Sequence, residues 1–542
     1  MLPNKPVTIS DGGLVCSASP FAAASGIAVL KDGGNAFDAA IAIAAVEGVT
    51  MSPMCGLGGE VFALLYHAET KKLYGLTGSG MSPKIATKEF FKNAGYTVLP
   101  EQGPLSVAMP GEVSALETIH STFGTKSMPY LLKAAIELAD QGYPIPRIMA
   151  RYFKVELPKL KHFNKTYEIF TKNGEPYEQG DIFIQKALAK TLRKLAENGL
   201  KDFYTGELRT EIFQGMHDAG CLYDIDEFGS HETILYENPI SISYHGYKIF
   251  QTSLPSQGLI SLEMLNILEG FDLQKIGLNS TEYIHIFTEA KKLAYADRLK
   301  YMGDIQFTQI PESKLLSKEF ASQRRKLIDH GKANTQIAEG LISNGNKSDN
   351  TSYFCVTDRY GNAVSFIHSL SHFFGSGVIP GNTGFILNNR VGRGFSLEDG
   401  HPNILEPVKK TMHTLNAYMI FKNGKPHLIG GTPGGDSQPQ WNVQVITAML
   451  DFGLNVQEAA EIPRWSSSPG TDPSTLDRPF RLQVEYGIPD NVTEKLTELG
   501  HHVERPDKDS FAGAVQLIMF DDERGIKLGG SDPRADGQAS IT

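Results

Sequence analysis

One stretch limits the folds open to this 542-residue chain: Asp349-Asn350-Thr351-Ser352-Tyr353-Phe354-Cys355-Val356-Thr357-Asp358, running on through Arg359-Tyr360-Gly361-Asn362-Ala363-Val364 to Ile367, His368 and Ser369. Tyr353, Phe354, Val356, Val364, Phe366 and Ile367 are strand formers, and Tyr360-Gly361-Asn362 suits a tight turn, so the stretch predicts a buried β-hairpin. Residues 337–350 before it are polar and rich in Gly, Ser and Asn. They have little to bury and read as a loop. The loop thus delivers a small hydroxyl residue, Thr351, to the start of a buried strand.

That placement suits self-cleavage between Asn350 and Thr351. The Thr351 hydroxyl would attack the preceding carbonyl, the acyl group would shift from N to O, and water would release a new N-terminus. The freed α-amine, with a reference pKa of about 8, can then serve as base for its own hydroxyl. An isolated Asn-Thr is more often a plain strand-edge threonine, since strands are rich in Thr. The reading therefore needs support from elsewhere in the chain.

Support comes from several separated motifs: Gly33-Gly34-Asn35-Ala36-Phe37-Asp38-Ala39-Ala40, Gly56-Leu57-Gly58-Gly59, Phe203-Tyr204-Thr205-Gly206, Tyr295-Ala296-Asp297-Arg298, Gly431-Thr432-Pro433-Gly434-Gly435 and Ser531-Asp532-Pro533-Arg534. In this order they resemble the γ-glutamyltranspeptidase family of N-terminal-nucleophile hydrolases. The resemblance implies an α+β fold, an αββα sandwich of two stacked antiparallel sheets between helix layers, with Thr351 on a central strand. It implies a precursor cut before Thr351 into a large subunit, residues 1–350, and a small subunit, residues 351–542, that stay together as one intertwined unit.

By the same resemblance Thr351 is the nucleophile, and Gly434 and Gly435 supply the oxyanion hole. Closely spaced glycines let backbone N–H groups reach a developing oxyanion, although such a turn can equally be a tight strand-helix connection. Ser369 stands where many members carry a second threonine that orients the nucleophile. Serine keeps the donor and acceptor and loses the methyl that restricts χ1. His368 flanks it, but neighbours on a strand face opposite sides, so His368 is expected to point away from Ser369.

The rest of the chain alternates helices and hairpins. Residues 20–32 and 35–47 are Ala-rich with helical spacing, residues 61–66 and 72–76 read as a hairpin, and residues 240–244 and 247–250 as another around His245-Gly246. Further helices are expected over residues 186–197, 282–301 and 438–452. Apolar residues at 41% and charged residues at 21% describe an ordinary globular protein. A net charge of −10 argues against nucleic acid or an anionic membrane as partner. Met1-Leu2-Pro3-Asn4-Lys5-Pro6 lacks the apolar core of a secretory signal, so a cytoplasmic location is expected. Cys16, Cys55, Cys221 and Cys355 have no metal-ligand spacing and are expected to be small buried apolar residues.

The substrate pocket is where the chain departs from its glutathione-processing relatives. Ser79, in Gly78-Ser79-Gly80-Met81-Ser82-Pro83, replaces the arginine that clamps the donor carboxylate. After Leu387-Asn388-Asn389 the relatives hold the donor ammonium with an aspartate, whereas this chain has Arg390-Val391-Gly392-Arg393. Lys410-Thr411 aligns with the usual serine pair. With Ser371, these residues are the candidate substrate contacts, and Arg390, Arg393 and Lys410 would give the pocket anion-binding character; the alternative is that they are solvated surface charges. The short segment from Phe395 to Lys410 implies an open cleft.

The resemblance therefore implies a self-processing amidase or acyltransferase that hydrolyses or transfers γ-glutamyl amides of the glutathione type, with no metal or organic cofactor. The rival is a small-acid amidohydrolase of the oxamate amidohydrolase type, and a third possibility is a processed, non-catalytic binding protein. The partners expected are a small-molecule amide, the two subunits of one precursor and a possible second copy of the processed unit.

Overall fold

The computed structural model describes residues 4–334, 351–470, 479–506 and 513–542. The expected junction at Asn350 lies outside the described residues, and Thr351 begins the second stretch.

The chain enters through strands β1 (Thr8–Ser10) and β2 (Leu14–Ser17), runs through helices α1 (Pro20–Lys31) and α2 (Ala36–Thr50), and returns as the hairpin β3 (Glu60–His67) and β4 (Lys72–Gly78). Helices α3 (Glu112–Phe123) and α4 (Met128–Gln141) precede β5 (Ile234–Glu237), β6 (Ser241–Tyr244) and β7 (Tyr247–Gln251). Next come α5 (Gly258–Leu268) and α6 (Thr281–Tyr301). Thr351 leads into β8 (Ser352–Thr357) and β9 (Ala363–Ser369), followed by β10 (Tyr418–Lys422), β11 (Lys425–Gly431) and α7 (Gln438–Leu450). Strands β12 (Gln516–Asp521), β13 (Ile526–Ser531) and β14 (Gln538–Ile541) close the chain.

Two seven-stranded antiparallel sheets result, in the orders β14-β2-β8-β9-β3-β4-β5 and β1-β13-β12-β11-β10-β7-β6. Alternation along each strand sorts the side chains into layers. Cys16, Phe62, Tyr353, Ile367, Met419 and Ile429 fill the space between the sheets. On the outer face of the first sheet, Val15, Phe354, Val356 and Phe366 pack on α1 to α4; on that of the second, Tyr244, Ile249, Ile420 and Leu517 pack on α5, α6 and α7. This is the expected αββα sandwich. Among the described residues no helix is long and apolar enough to cross a membrane.

Helix α2 is buried on every side except at Gly48, which is why its sequence is Ala-rich and not amphipathic. A Cβ at Gly48 would lie 3.0 Å from the Gly56 Cα, so the glycine lets the segment after the helix cross close to it. Asn35 and Asp38 form a reciprocal capping box at its start, a device worth about 1 kcal/mol. The Ala36 N–H donates to Asp358 Oδ2 at 2.9 Å, which ties α2 to the turn of the β8–β9 hairpin. Within that turn Asp358 Oδ1 accepts from the Tyr360 and Asn362 N–H groups, and Gly361 takes φ +89°.

The expected hairpins are present, and His245-Gly246 turns with φ +46° and +85°. The four cysteines are buried and unpaired. Strands β1 and β2 and the helix Arg147–Leu160 were not foreseen: the strands are only three and four residues long, and the helix carries Pro158 inside it.

Candidate active site

Thr351 is 1% exposed at the head of β8. Hairpin register pairs Ser352 with His368, so Thr351 arrives beside Ser369 at the end of β9. Its Oγ1 lies 3.3 Å from Ser369 Oγ, to which it donates, and 3.4 Å from Gln438 Nε2, which donates to it. These contacts are long, as hydrogen bonds of resting catalytic groups often are. Ser369 Oγ also accepts from the Ser371 N–H at 2.8 Å. Ser371 itself has φ +82°, and its buried Oγ has no protein partner among the described residues. The chain is thus bent unusually to bring a hydroxyl there.

The glycine turn follows β11. Gly434 and Gly435 take φ +137° and +49°, and Gln438, three residues on, is the one that reaches Thr351. Gln438 was not singled out from the sequence, because nothing local distinguishes it from any other helix-start glutamine. The arrangement can place two successive backbone N–H groups near an acyl group on Thr351.

Glu60 is the second residue that sequence reasoning missed. It pairs with Ser369 across the β9–β3 ladder and is fully buried. Its Oε2 accepts from Arg390 Nε at 2.8 Å and His413 Nε2 at 2.7 Å, and its Oε1 from the Gly80 N–H at 3.1 Å and Ser79 Oγ at 3.3 Å. Burial alone would raise its pKa; His413 and then Arg390 bring it down to about 2. Burial, followed by the Arg390 charge, lowers His413 to about 4. His413 is then neutral, donating from Nε2 to Glu60 while Nδ1 accepts from the Leu415 N–H at 3.3 Å.

This pair makes folding acid-sensitive. Both folded pKa values lie below their ordinary values of 4.5 and 6.5, so each group binds more protons when unfolded. The stability they give is whole above pH 6.5 and is lost as pH falls, through His413 first and then through Glu60 down to about 2. Urea unfolding at pH 7, 5 and 3 should show the decline, and Glu60→Gln should flatten its lower limb.

The remaining candidates fall into place around this core. Arg390 and Arg393 are buried, not solvated, yet the free anion-binding character expected of them is corrected by their carboxylates. Arg390 pairs with Glu60, and Arg393 Nη2 donates to Asp436 Oδ2 at 3.0 Å, while Arg298 Nη1 holds Asp436 Oδ1 at 2.8 Å. A buried charge without a partner would cost too much to keep. Lys410 differs: its backbone N–H donates to Asp304, but its ammonium makes no ion pair among the described residues. Burial lowers its pKa, against the pull of Asp304, Glu60 and Glu232. Thr411 Oγ1 accepts from Asn403 Nδ2 at 2.9 Å and donates to the Met412 carbonyl.

A cavity touches the glycine turn at Pro433 and Gly434. Met51, Met54, Met149 and Tyr152 give it an apolar wall, and Ser19 and Asp536 add polar groups. Glu47–Cys55–His368 and His285–Glu289–His501 each bring donor atoms within 4.8 Å of one another. In both, these side chains already hydrogen-bond to protein: His368 to two carboxylates, His285 to His501, and Glu289 to Lys292. Neither needs an ion to account for its geometry.

The family model for γ-glutamyltranspeptidase matches residues 22–542. The chain belongs to this family. It is 38% identical to the glutathione hydrolase-like YwrD proenzyme of Bacillus subtilis (strain 168) over 539 residues, 99% of each protein. It is 31% identical to the oxamate amidohydrolase proenzyme of Klebsiella pneumoniae, covering 98% of this chain and 99% of that one. Among solved structures, the cephalosporin acylase from Bacillus halodurans superposes with a TM-score of 0.92 at 33% identity, covering 100% of this chain and 98% of its own. As a γ-glutamyltranspeptidase family member, the chain is an N-terminal-nucleophile hydrolase in fold and class.

Proposed function

We propose that this protein cuts itself before Thr351 and then hydrolyses small amides whose acyl group carries a carboxylate, through an acyl-Thr351 intermediate. The observation that carries the substrate class is Lys410: a partly buried ammonium that makes no ion pair among the described residues, close enough to the Glu60–Arg390–His413 cluster beside Ser369 to feel the Glu60 charge. A substrate carboxylate there would give the ammonium a direct partner, which the more distant charges of Asp304, Glu60 and Glu232 do not. The names of the relatives fit this reading, since oxamate is itself an amide with a carboxylate on its acyl group, and proenzyme names a chain made for processing.

In the proposed cycle the Thr351 α-amine takes the hydroxyl proton as Oγ1 attacks the amide carbonyl. Ser369 and Gln438 orient the hydroxyl, and the N–H groups of Gly434 and Gly435 stabilise the oxyanion. The amine half leaves with the proton toward the Met- and Tyr-lined cavity. Water then adds to the acyl-enzyme by the same route in reverse.

A γ-glutamyl donor remains the second reading, because Glu60 offers a carboxylate that an α-ammonium could share. Glutaryl and γ-glutamyl 4-nitroanilides differ only by that ammonium. Turnover of both, with oxamate alongside, decides the matter. The glutaryl compound should have the higher kcat/KM by about tenfold, the worth of some 1.4 kcal/mol. Equal or better turnover of the γ-glutamyl anilide would sink the small-acid reading in favour of the second.

A further inference from the structure

On the helix-facing side of the Thr351 hairpin lies a group of side chains that the proposed chemistry does not use. Ser352 and His368 form the ladder pair next to Thr351 and Ser369, and both side chains point away from them toward α2 and α3. His368 Nε2 lies 2.8 Å from Glu47 Oε2 and its Nδ1 lies 3.0 Å from Glu112 Oε1. Glu47 also accepts from Ser352 Oγ at 2.6 Å through Oε2 and from Ser17 Oγ at 2.6 Å through Oε1. Glu112 Oε2 accepts from the Gly56 N–H at 3.3 Å. Ser17, Glu47, Glu112, Ser352 and His368 are at most 1% exposed.

A carboxylate accepts and does not donate, so an imidazole facing carboxylates at both nitrogens can satisfy both only as the imidazolium. Burial by itself disfavours that cation; the carboxylate oxygens at both ring nitrogens, Glu112 among them, favour it, and the His368 pKa stays well above the ordinary value. Burial pushes the Cys55 thiol up to about 12, so it stands there as a neutral thiol, and the ring nitrogens face only the Glu47 and Glu112 oxygens. Three strands and two helices meet at these five side chains: Ser17 on β2, Ser352 on β8, His368 on β9, Glu47 on α2 and Glu112 on α3. A set of buried charges that must be complete to be tolerated fixes geometry more sharply than apolar packing would.

We propose that the Glu47–His368–Glu112 group is a positioning device: it locks the Ser352–His368 rung and so sets the aim of the Thr351 hydroxyl and amine one residue away. The inference rests on Thr351 being the nucleophile. It assigns these residues no contact with substrate.

The test uses the full chain, with activity on the anilide that the parent turns over expressed per mole of cleaved protein, counted by intact mass. His368→Gln can satisfy only one carboxylate and leaves the other uncompensated. Its kcat should fall about 10- to 100-fold with KM within about threefold, the scale of a sub-ångström misplacement. A new ionisation should also appear, with kcat recovering as pH falls and the stranded carboxylate takes up a proton. Glu112→Gln/His368→Gln gives every acceptor in the group a donor again, with Glu47 as its one remaining carboxylate, and should regain at least about fivefold in kcat and lose the added pH dependence.

An unchanged kcat and pH profile in His368→Gln would overturn the proposal. So would a double variant that recovers its melting temperature and not its kcat, because the role would then be structural only. If His368→Gln does not mature, the rate of self-cleavage replaces kcat, since the same hydroxyl performs it, and the same pH signature is required. Cleavage of Thr351→Ala before residue 351 would instead defeat the nucleophile assignment and leave the triad geometry untouched.

Discussion

Thr351→Ala should remain one 542-residue chain on intact-mass analysis and lose amide turnover by at least about 10⁴-fold, as loss of a covalent nucleophile does elsewhere. Both effects follow from the proposed cycle, in which the hydroxyl that opens the Asn350–Thr351 bond is the one that later carries the acyl group. Folding should survive, because Thr351 donates only a long hydrogen bond to Ser369 and β8 keeps its six ladder pairs with β9. Thr351→Ser separates the steps, for it keeps the hydroxyl and loses the methyl that limits χ1. It should process and turn over, both more slowly. Cleavage of the alanine variant at the same bond would mean that another group cuts the chain.

Gly434→Ala should cost about 10²- to 10³-fold in kcat, the usual price of one oxyanion donor. Two observations make this position sensitive. Its φ of +137° is one that side chains rarely adopt, and an added Cβ would lie 2.3 Å from the Trp441 ring, which packs at the start of α7. To relieve the clash the turn must shift, and the N–H groups shift with it. Gly424→Ala is the control. It has φ +78° with nothing within 4 Å of the added carbon, so it should lose about 1 kcal/mol of stability and no activity. Equal losses of activity in the two variants would mean that Gly434 matters for folding alone.

What could be read from the sequence was local. The β8–β9 hairpin, the Ala-rich pair α1 and α2, and the opposite orientations of His368 and Ser369 all follow from residue type and a period of two or 3.6. The family motifs then placed these pieces in a layered fold. Partners far apart in the chain were not legible. Glu60 meets Arg390 across 330 positions, and Arg298 meets Asp436 across 138, so neither carboxylate could be matched to its cation by spacing. The carboxylates that accompany Arg390 and Arg393 were therefore out of reach of the sequence. Gln438 and Glu112 were missed for the same reason, being ordinary helix residues until the fold brings them to the hairpin.

The strand order has a last consequence. In the first sheet β14 and β8, from after residue 351, flank β2 from near the start, and β9 lies against β3; in the second sheet β1 and β7 enclose four strands from the later part. A cut before Thr351 therefore removes one covalent bond and opens no seam along which the pieces could slide apart. Separation requires both sheets to unzip together, and reassembly becomes a second-order event. Dilution should leave the cut protein intact for long periods. Once unfolded, however, its recovery should depend on concentration, whereas the uncut Thr351→Ala chain should refold independently of it.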